Sequence, residues 1–271
     1  MSGIHHFRRL TLFGLCVGLI GCATTEPRTS PARLPPTPEF WSPLAAADVF
    51  YVGERHTEEG DHDYEFEVIK GLKARGIPFS IGWEMFEVSQ QPLLDAWQSG
   101  GISLAELLRQ TEWDKHWGKY SPTYERMLRW SRSAGVENHA LNAPASLSRK
   151  ISRGLPLTPE EKQLLPVGFR SLPHGLKNFK SQMGTHPGSG SINYDRYYMA
   201  QTLWDQTMAD RVVQFRRRDP AKKLVVFAGR GHVEAGYGIP PYVKQKLPAV
   251  RQKILLPDVA PPNAADPVSR R

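Results

Sequence analysis

Five short apolar runs recur along the chain, at residues 48–53, 77–85, 135–141, 223–228 and 252–256. Each is strand-length, and the stretches between the first four carry helical spacing instead. In 61–74, Phe66, Ile69 and Leu72 fall on one helical face. The interval 90–130 contains no strand pattern, while "SLAELLRQ" and "YERMLRW" both have helical period. In "LTPEEKQLL", Thr158 is placed as N-cap, Pro159 at N1 and Glu161 at N3, the signature of a capping box. A long amphipathic helix is predicted over 195–218; Arg216, Arg217 and Arg218 suit its C-terminal dipole and Pro220 follows. Buried-looking strands alternating with helices predict an α/β fold: a parallel or mixed central sheet with helices on both faces. The helices within about 90–130 and 145–200 are assigned in part to a small helical subdomain.

The first four strands all end in polar groups. The first leads into Gly53-Glu54-Arg55-His56, the second carries Glu84, the third ends at Asn142, and the fourth runs into Gly229-Arg230-Gly231-His232. In open α/β sheets, ligands sit beyond the carboxyl ends of the strands, so parallel neighbours would gather these groups in one crevice. Histidines beside carboxylates suit Zn²⁺, Mn²⁺ or Fe²⁺, with His56, His232 and Glu84 as ligands. Without metal, the same groups suit general acid–base work by Glu54, His56, Glu84 and His232. Arg55 and Arg230 suit the clamping of a carboxylate-bearing ligand. Asn142, before Ala143-Pro144, reads equally as a turn residue. Glu58, Glu59, Asp61 and Asp63 read as a solvated helix start.

Composition narrows the setting. The formal charge of +8 is spread among acids, and no nucleic-acid-binding motif is present. Arg8-Arg9 precede the apolar run 10–20, which is too short for a stable membrane span and fits a secretory signal. The run ends in Leu19-Ile20-Gly21-Cys22, which resembles the lipobox of bacterial lipoproteins, whose cysteine is acylated, with palmitate among its fatty acids, after residues 1–21 are removed. Ala23 rather than Asp follows, which by the same resemblance directs the protein to the outer membrane, facing periplasm or surface. Cys16 would leave with the signal and Cys22 would carry lipid, so the mature domain would have no cysteine for a disulfide, metal or nucleophile. Residues 22–42 read as a lipidated, Pro-rich tether, 43–257 as the folded domain and 258–271 as a disordered tail.

The blocks "GERH", "WEMF", "ALNAP", "AQTLWDQTMA" and "FAGRGHVEAGYGIP" resemble the ChaN family of haem-binding, iron-regulated lipoproteins, in a superfamily with Tiki/TraB proteins and erythromycin esterase. The resemblance covers roughly 45–257. It implies haem binding for iron acquisition, in a homodimer enclosing a pair of haems, with tyrosine as iron ligand. It also implies that the two GxxH motifs match those that hold metal in Tiki-type proteases, making a metal-dependent hydrolase the alternative function. Candidate haem ligands are His116, Tyr120, Tyr124, Tyr194, Tyr197, Tyr198 and Tyr237. A phenol needs a cationic neighbour such as Arg196 or Lys119 to ionise easily, since its free pKa is near 10. Gln201 and Asp205 share a helix face at i,i+4; the family pattern includes this arrangement, and the pair reads equally as facing the crevice or as a hydrogen bond on the helix surface.

Overall fold

The computed structural model describes residues 37–118, 121–183, 193–234 and 236–257. The stretches read as signal and lipobox, most of that read as tether, that read as tail, and Tyr120 lie outside the described residues. Five strands form one sheet: β1 (Val49–Glu54), β2 (Phe79–Glu87), β3 (Asn138–Asn142), β4 (Lys223–Gly229) and β5 (Gln252–Leu255). All pairings are parallel, in the order β3-β2-β4-β1-β5. β4 is thus inserted between β1 and β2, which are consecutive in sequence.

The described helices are α1 (Pro38–Ala46), α2 (Glu59–Ala74), α3 (Gln91–Ser99), α4 (Leu104–Gln110), α5 (Trp113–Trp117) and α6 (Pro122–Ser133), then α7 (Ala145–Arg153), α8 (Pro159–Gln163), α9 (Gly175–Met183), α10 (Tyr194–Arg218) and α11 (Ile239–Lys246). β1 is buried at all six positions because helices cover both faces. Alternate side chains divide between two cores, as the period of two requires. Phe50, Val52, Ile81, Trp83, Val225 and Phe227 pack with α2, α3 and α6. Val49, Tyr51, Leu224, Val226 and Ala228 pack with α10 and α11. A third, smaller cluster joins Leu147 and Ile151 of α7, and Leu157, Leu165 and Phe169 around α8, to Leu203 and Trp204 of α10.

Two boundaries differ from the sequence reading. α1 begins inside the span read as tether: Pro38 opens the helix, and Trp41 is buried against α2, with the Arg75 guanidinium 3.8 Å from its ring centroid. β3 starts at Asn138 rather than 135 because Gly135 takes a left-handed φ of 65° in the turn that follows α6. The capping box of α8 forms as expected, Thr158 Oγ1 accepting from the Glu161 amide at 3.2 Å and Glu161 Oε2 from the Thr158 amide at 2.9 Å.

Trp83 ties the layers together. It is fully buried, stacks edge-on with Phe227 at 5.1 Å, and donates its indole N–H to Asn138 Oδ1 at 2.8 Å. Trp83→Ala should therefore cost about 3–5 kcal/mol of folding free energy, read as a lowered urea midpoint, with Trp83→Phe costing less.

Candidate functional site

The central position of β4 makes the site. Glu54 is in register with Gly229, so β1 and β4 end side by side and release their two loops into the same space. β2 lies on the other flank of β4 and brings Glu84. Gly229 is needed here for room: a Cβ on it would stand 2.8 Å from His56 Nε2. The chain past Gly229 makes a single 3-10 turn, Arg230–His232, which turns His232 back over the strand ends.

Two imidazoles face each other across one carboxylate. His56 Nε2 lies 3.8 Å, and His232 Nε2 3.2 Å, from Glu84 Oε1. The second oxygen of Glu84 accepts the Gly229 amide at 2.7 Å, which fixes the carboxylate in the middle. Behind each imidazole stands another carboxylate. His56 Nδ1 is 2.7 Å from Glu54 Oε1, and His232 Nδ1 is 2.6 Å from Asp205 Oδ1. Each carboxylate draws the ring proton to Nδ1 and aims Nε2 at the crevice. Gln201, one turn before Asp205 on α10, reaches His232 Nδ1 at 2.8 Å. Trp117 closes over His56 edge-on, with 5.0 Å between ring centroids, leaving that side chain 28 % exposed.

Glu54 is fully buried, and its Oε1 also accepts the Tyr124 hydroxyl at 2.5 Å. His62 Nε2 approaches its other oxygen at 3.4 Å. Glu65 lies in the same pocket with no exposure. Burial, then the negative charge of Glu54, pushes its carboxyl well above the usual range and favours its neutral form, and neither of its oxygens has a hydrogen-bond partner among the described residues.

The charges of the crevice support one another. Burial disfavours ionised Glu84, but the two facing imidazoles outweigh it and hold its pKa at about 2. Burial likewise disfavours His232 as a cation, yet Glu84 and Asp205 raise its pKa to about 10. His56 is raised too: Glu84 and Glu54 outweigh its desolvation. Asp205 is raised to about 6 by burial, with His232 limiting the rise. The site is a chain in which carboxylates alternate with imidazoles, each favouring the charged form of its neighbour.

The predicted residues thus divide. Glu54, His56, Glu84, Gln201, Asp205 and His232 come together. Arg55 points its guanidinium at Asp61, with Nη2–Oδ1 of 2.7 Å and Nε–Oδ2 of 3.0 Å. Asp61 is accordingly buried and Asp63 pairs with Arg126, while Glu58 and Glu59 are exposed, Glu59 accepting from Ser121, so this helix start is solvated at its first two acids and tied down at the other two. Asn142 Oδ1 accepts the amide of Ala143 at 2.9 Å, the turn role. Arg230 begins the turn that carries His232.

Of the haem-ligand candidates, Tyr124 is a wall of the crevice: its phenol donates to Glu54, and burial with that negative charge pushes its pKa well above the usual value, against a phenolate. Tyr198 and Tyr237 are buried with Phe179 in a cluster that Tyr194 flanks. His116 lies 3.7 Å from Glu112 on α5. Tyr197 is 40 % exposed and, among the described residues, the one exposed tyrosine.

Among the described residues no group of three or more His, Cys, Asp or Glu side chains is arranged to hold a metal ion. The expectation of a divalent metal therefore gains no support from the site as it stands. Glu65 and Tyr124 were missed as crevice residues. Glu65 carried a signal, since it occupies a position of α2 in step with the buried Val68, Ile69 and Leu72.

The family model described as haem-binding uptake, Tiki superfamily, ChaN, matches residues 40–243. No curated protein matches the chain by sequence. Among solved structures, ChaN of Campylobacter jejuni, whose haem binding is cofacial, is similar at a TM-score of 0.61 and 21 % identity, covering 79 % of this chain and 82 % of that one. An erythromycin esterase in its open conformation gives 0.49 at 13 % identity over 80 % and 72 % of the two chains. The C-terminal region of Pasteurella multocida toxin gives 0.48 at 9 % over 79 % and 23 %.

The crevice predicts a pH profile. Glu84, lowered to about 2, contributes stability present above 4.5 and lost as pH falls towards 2. His232, raised to about 10, contributes stability present below 6.5 and lost as pH rises towards 10. Asp205, raised to about 6, works the other way, costing stability as pH climbs from 3.8 to 6. The wild-type urea midpoint should fall between pH 7 and 9, by up to about 1.4 kcal/mol per pH unit from this group. His232→Gln should flatten that limb; a limb of unchanged slope would show that His232 is not its source.

Proposed function

The chain belongs to the haem-binding uptake family, ChaN, of the Tiki superfamily, and we propose that it binds haem as an envelope lipoprotein serving iron acquisition. Family membership is the observation that carries this. Haem needs apolar walls, an axial ligand and cations for its propionates. The residues that suit those needs lie on the helical segment formed by α7, α8 and the start of α10. Leu155, Leu164 and Val167 are exposed there, Val167 by 90 %. Arg196 meets that segment at Gly154, where its guanidinium fills the space a Cβ would take and donates to the Arg153 carbonyl at 3.2 Å. Tyr197, next to it, is exposed and is the phenol best placed to bind ferric iron. An exposed apolar face also suits a second copy closing over the haem, so a homodimer is part of the proposal.

A hydrolase is the second reading, and the two carboxylate-backed imidazoles flanking Glu84 favour it. His56 and His232 with Glu84 would hold a metal if both imidazoles gave up their protons; such an ion would polarise a substrate carbonyl or activate water. Without it, His56, the more exposed imidazole, could pass a proton to a leaving group.

Tethering is tested by fractionation: Cys22→Ser should move the protein from the membrane to the soluble fraction. Haem titration of the soluble domain should give a saturable Soret band, and Tyr197→Phe should shift its maximum and weaken binding at least tenfold. No Soret change at micromolar haem would remove the leading reading. For the second, elemental analysis should find stoichiometric metal that a His56→Ala, His232→Ala variant loses; metal-free protein that turns over no ester or peptide would exclude it.

A further inference from the structure

At the end of the sheet opposite the crevice, where the strands begin, a cleft of about 410 Å³ opens between α3 and the last turns of α10. Its floor is the start of β3, Asn138 and His139, and its α10 wall carries Arg211 and Arg218. A smaller hollow of about 140 Å³ continues from it past Leu141 and Phe215, with the same two arginines and His139 on its lining. Nothing in the haem or hydrolase readings uses it.

The cleft is unusual in how its charges are matched. It has acids, but each already accepts from a donor, two of them from one shared ammonium. Asp95 accepts from the Gln91 amide at 2.8 Å. Glu137 pairs with Lys222 at 3.1 Å, and Asp219 with the same ammonium at 3.4 Å. Arg211 donates only to the neutral Gln214, at 2.8 Å. Arg218 stacks over Phe215, its guanidinium 5.7 Å from the ring centroid. Among the described residues no carboxylate lies within ion-pair reach of either guanidinium. The two stand seven residues apart on α10, two turns along one face, which is how they come to share a wall.

His139 completes the group. Its ring packs on Phe215 at 5.1 Å, and its Nε2 is buried without a hydrogen bond, the nearest carboxylate oxygen being 3.7 Å away on Glu137. Burial, then the charge of Arg218, lowers its pKa to about 4, so it is neutral in the cell. Arg211 is likewise disfavoured as a cation by burial and by Arg218. Two guanidinium groups on one wall, with no described carboxylate in ion-pair reach, lower their energy when an anion enters the cleft between them.

We propose that this cleft is a second ligand site, for a small oxyanion held by Arg211 and Arg218 with His139 against it. Guanidinium forks match the paired oxygens of a phosphate or a carboxylate. The lining is polar and charged throughout, which suits inorganic phosphate or a dicarboxylate rather than the apolar plate of a porphyrin, so this ligand is distinct from haem. The proposal does not rest on the haem reading, and either can fail alone.

The test uses the soluble domain with inorganic phosphate and succinate as probes, against sodium chloride at matched ionic strength. NMR titration should show saturable shifts of the His139 imidazole resonances, and phosphate should raise the His139 midpoint from about 4 by about one unit. Arg211→Gln, Arg218→Gln should weaken binding at least tenfold while leaving circular dichroism and the haem Soret titration unchanged. A saturable response to succinate but not phosphate supports a planar carboxylate ligand in the same site. Shifts that chloride reproduces, or that persist in the double variant, overturn the proposal.

Discussion

The parallel register of β1 and β4 is the constraint on which the site depends. These strands are far apart in sequence, yet Glu54 is level with Gly229, so both chains leave the sheet at one height. That brings two Gly-x-x-His loops into a shared space. The fit also requires that residue 229 have no side chain, because His56 occupies the volume a Cβ would take. Glu84, arriving from β2 on the far side of β4, then lies between both imidazoles and is anchored by the backbone amide of Gly229.

The crevice is stable because its charges alternate. Isolated carboxylates buried as deeply as Glu54, Glu84 and Asp205 would protonate. Here each ionised carboxylate faces an imidazole, and Glu54 also accepts the Tyr124 hydroxyl. Such a network is costly to half-complete, since removing one member leaves another buried charge exposed to no partner. It also orients both rings with Nε2 inwards, whatever the crevice then binds.

Two surfaces lie away from it. The outer face of α7, α8 and the start of α10 presents apolar side chains beside a phenol and a guanidinium, the residue types a porphyrin requires. The cleft at the strand starts presents matched acids and unmatched arginines. One long helix, α10, contributes to all three places: Tyr197 in its first turn, Asp205 in its middle, Arg211 and Arg218 near its end. Its 25 residues, on the order of 37 Å at the helical rise, let a single element serve both ends of the sheet.

Much of this was written in local pattern. Apolar runs located all five strands within a few residues; the inner ones are apolar throughout because helices cover both their faces, while β5, at the sheet edge, is exposed at its middle positions. Glycine before each histidine marked the sharp exits, and i,i+4 spacing placed Gln201 and Asp205 on one face. What local pattern could not carry was pairing between distant side chains. Arg55 turned to Asp61 rather than to a ligand, Tyr124 became a donor to Glu54, and Glu65 was drawn towards its neutral form by neighbours that only the packed fold supplies. Sequence by itself determined the elements and the residues at their ends, since those follow from burial and backbone preference nearby. Tertiary structure alone decided which end faced which, because strand order is set by how whole layers pack, and charge state is set by what that packing brings within a few ångströms.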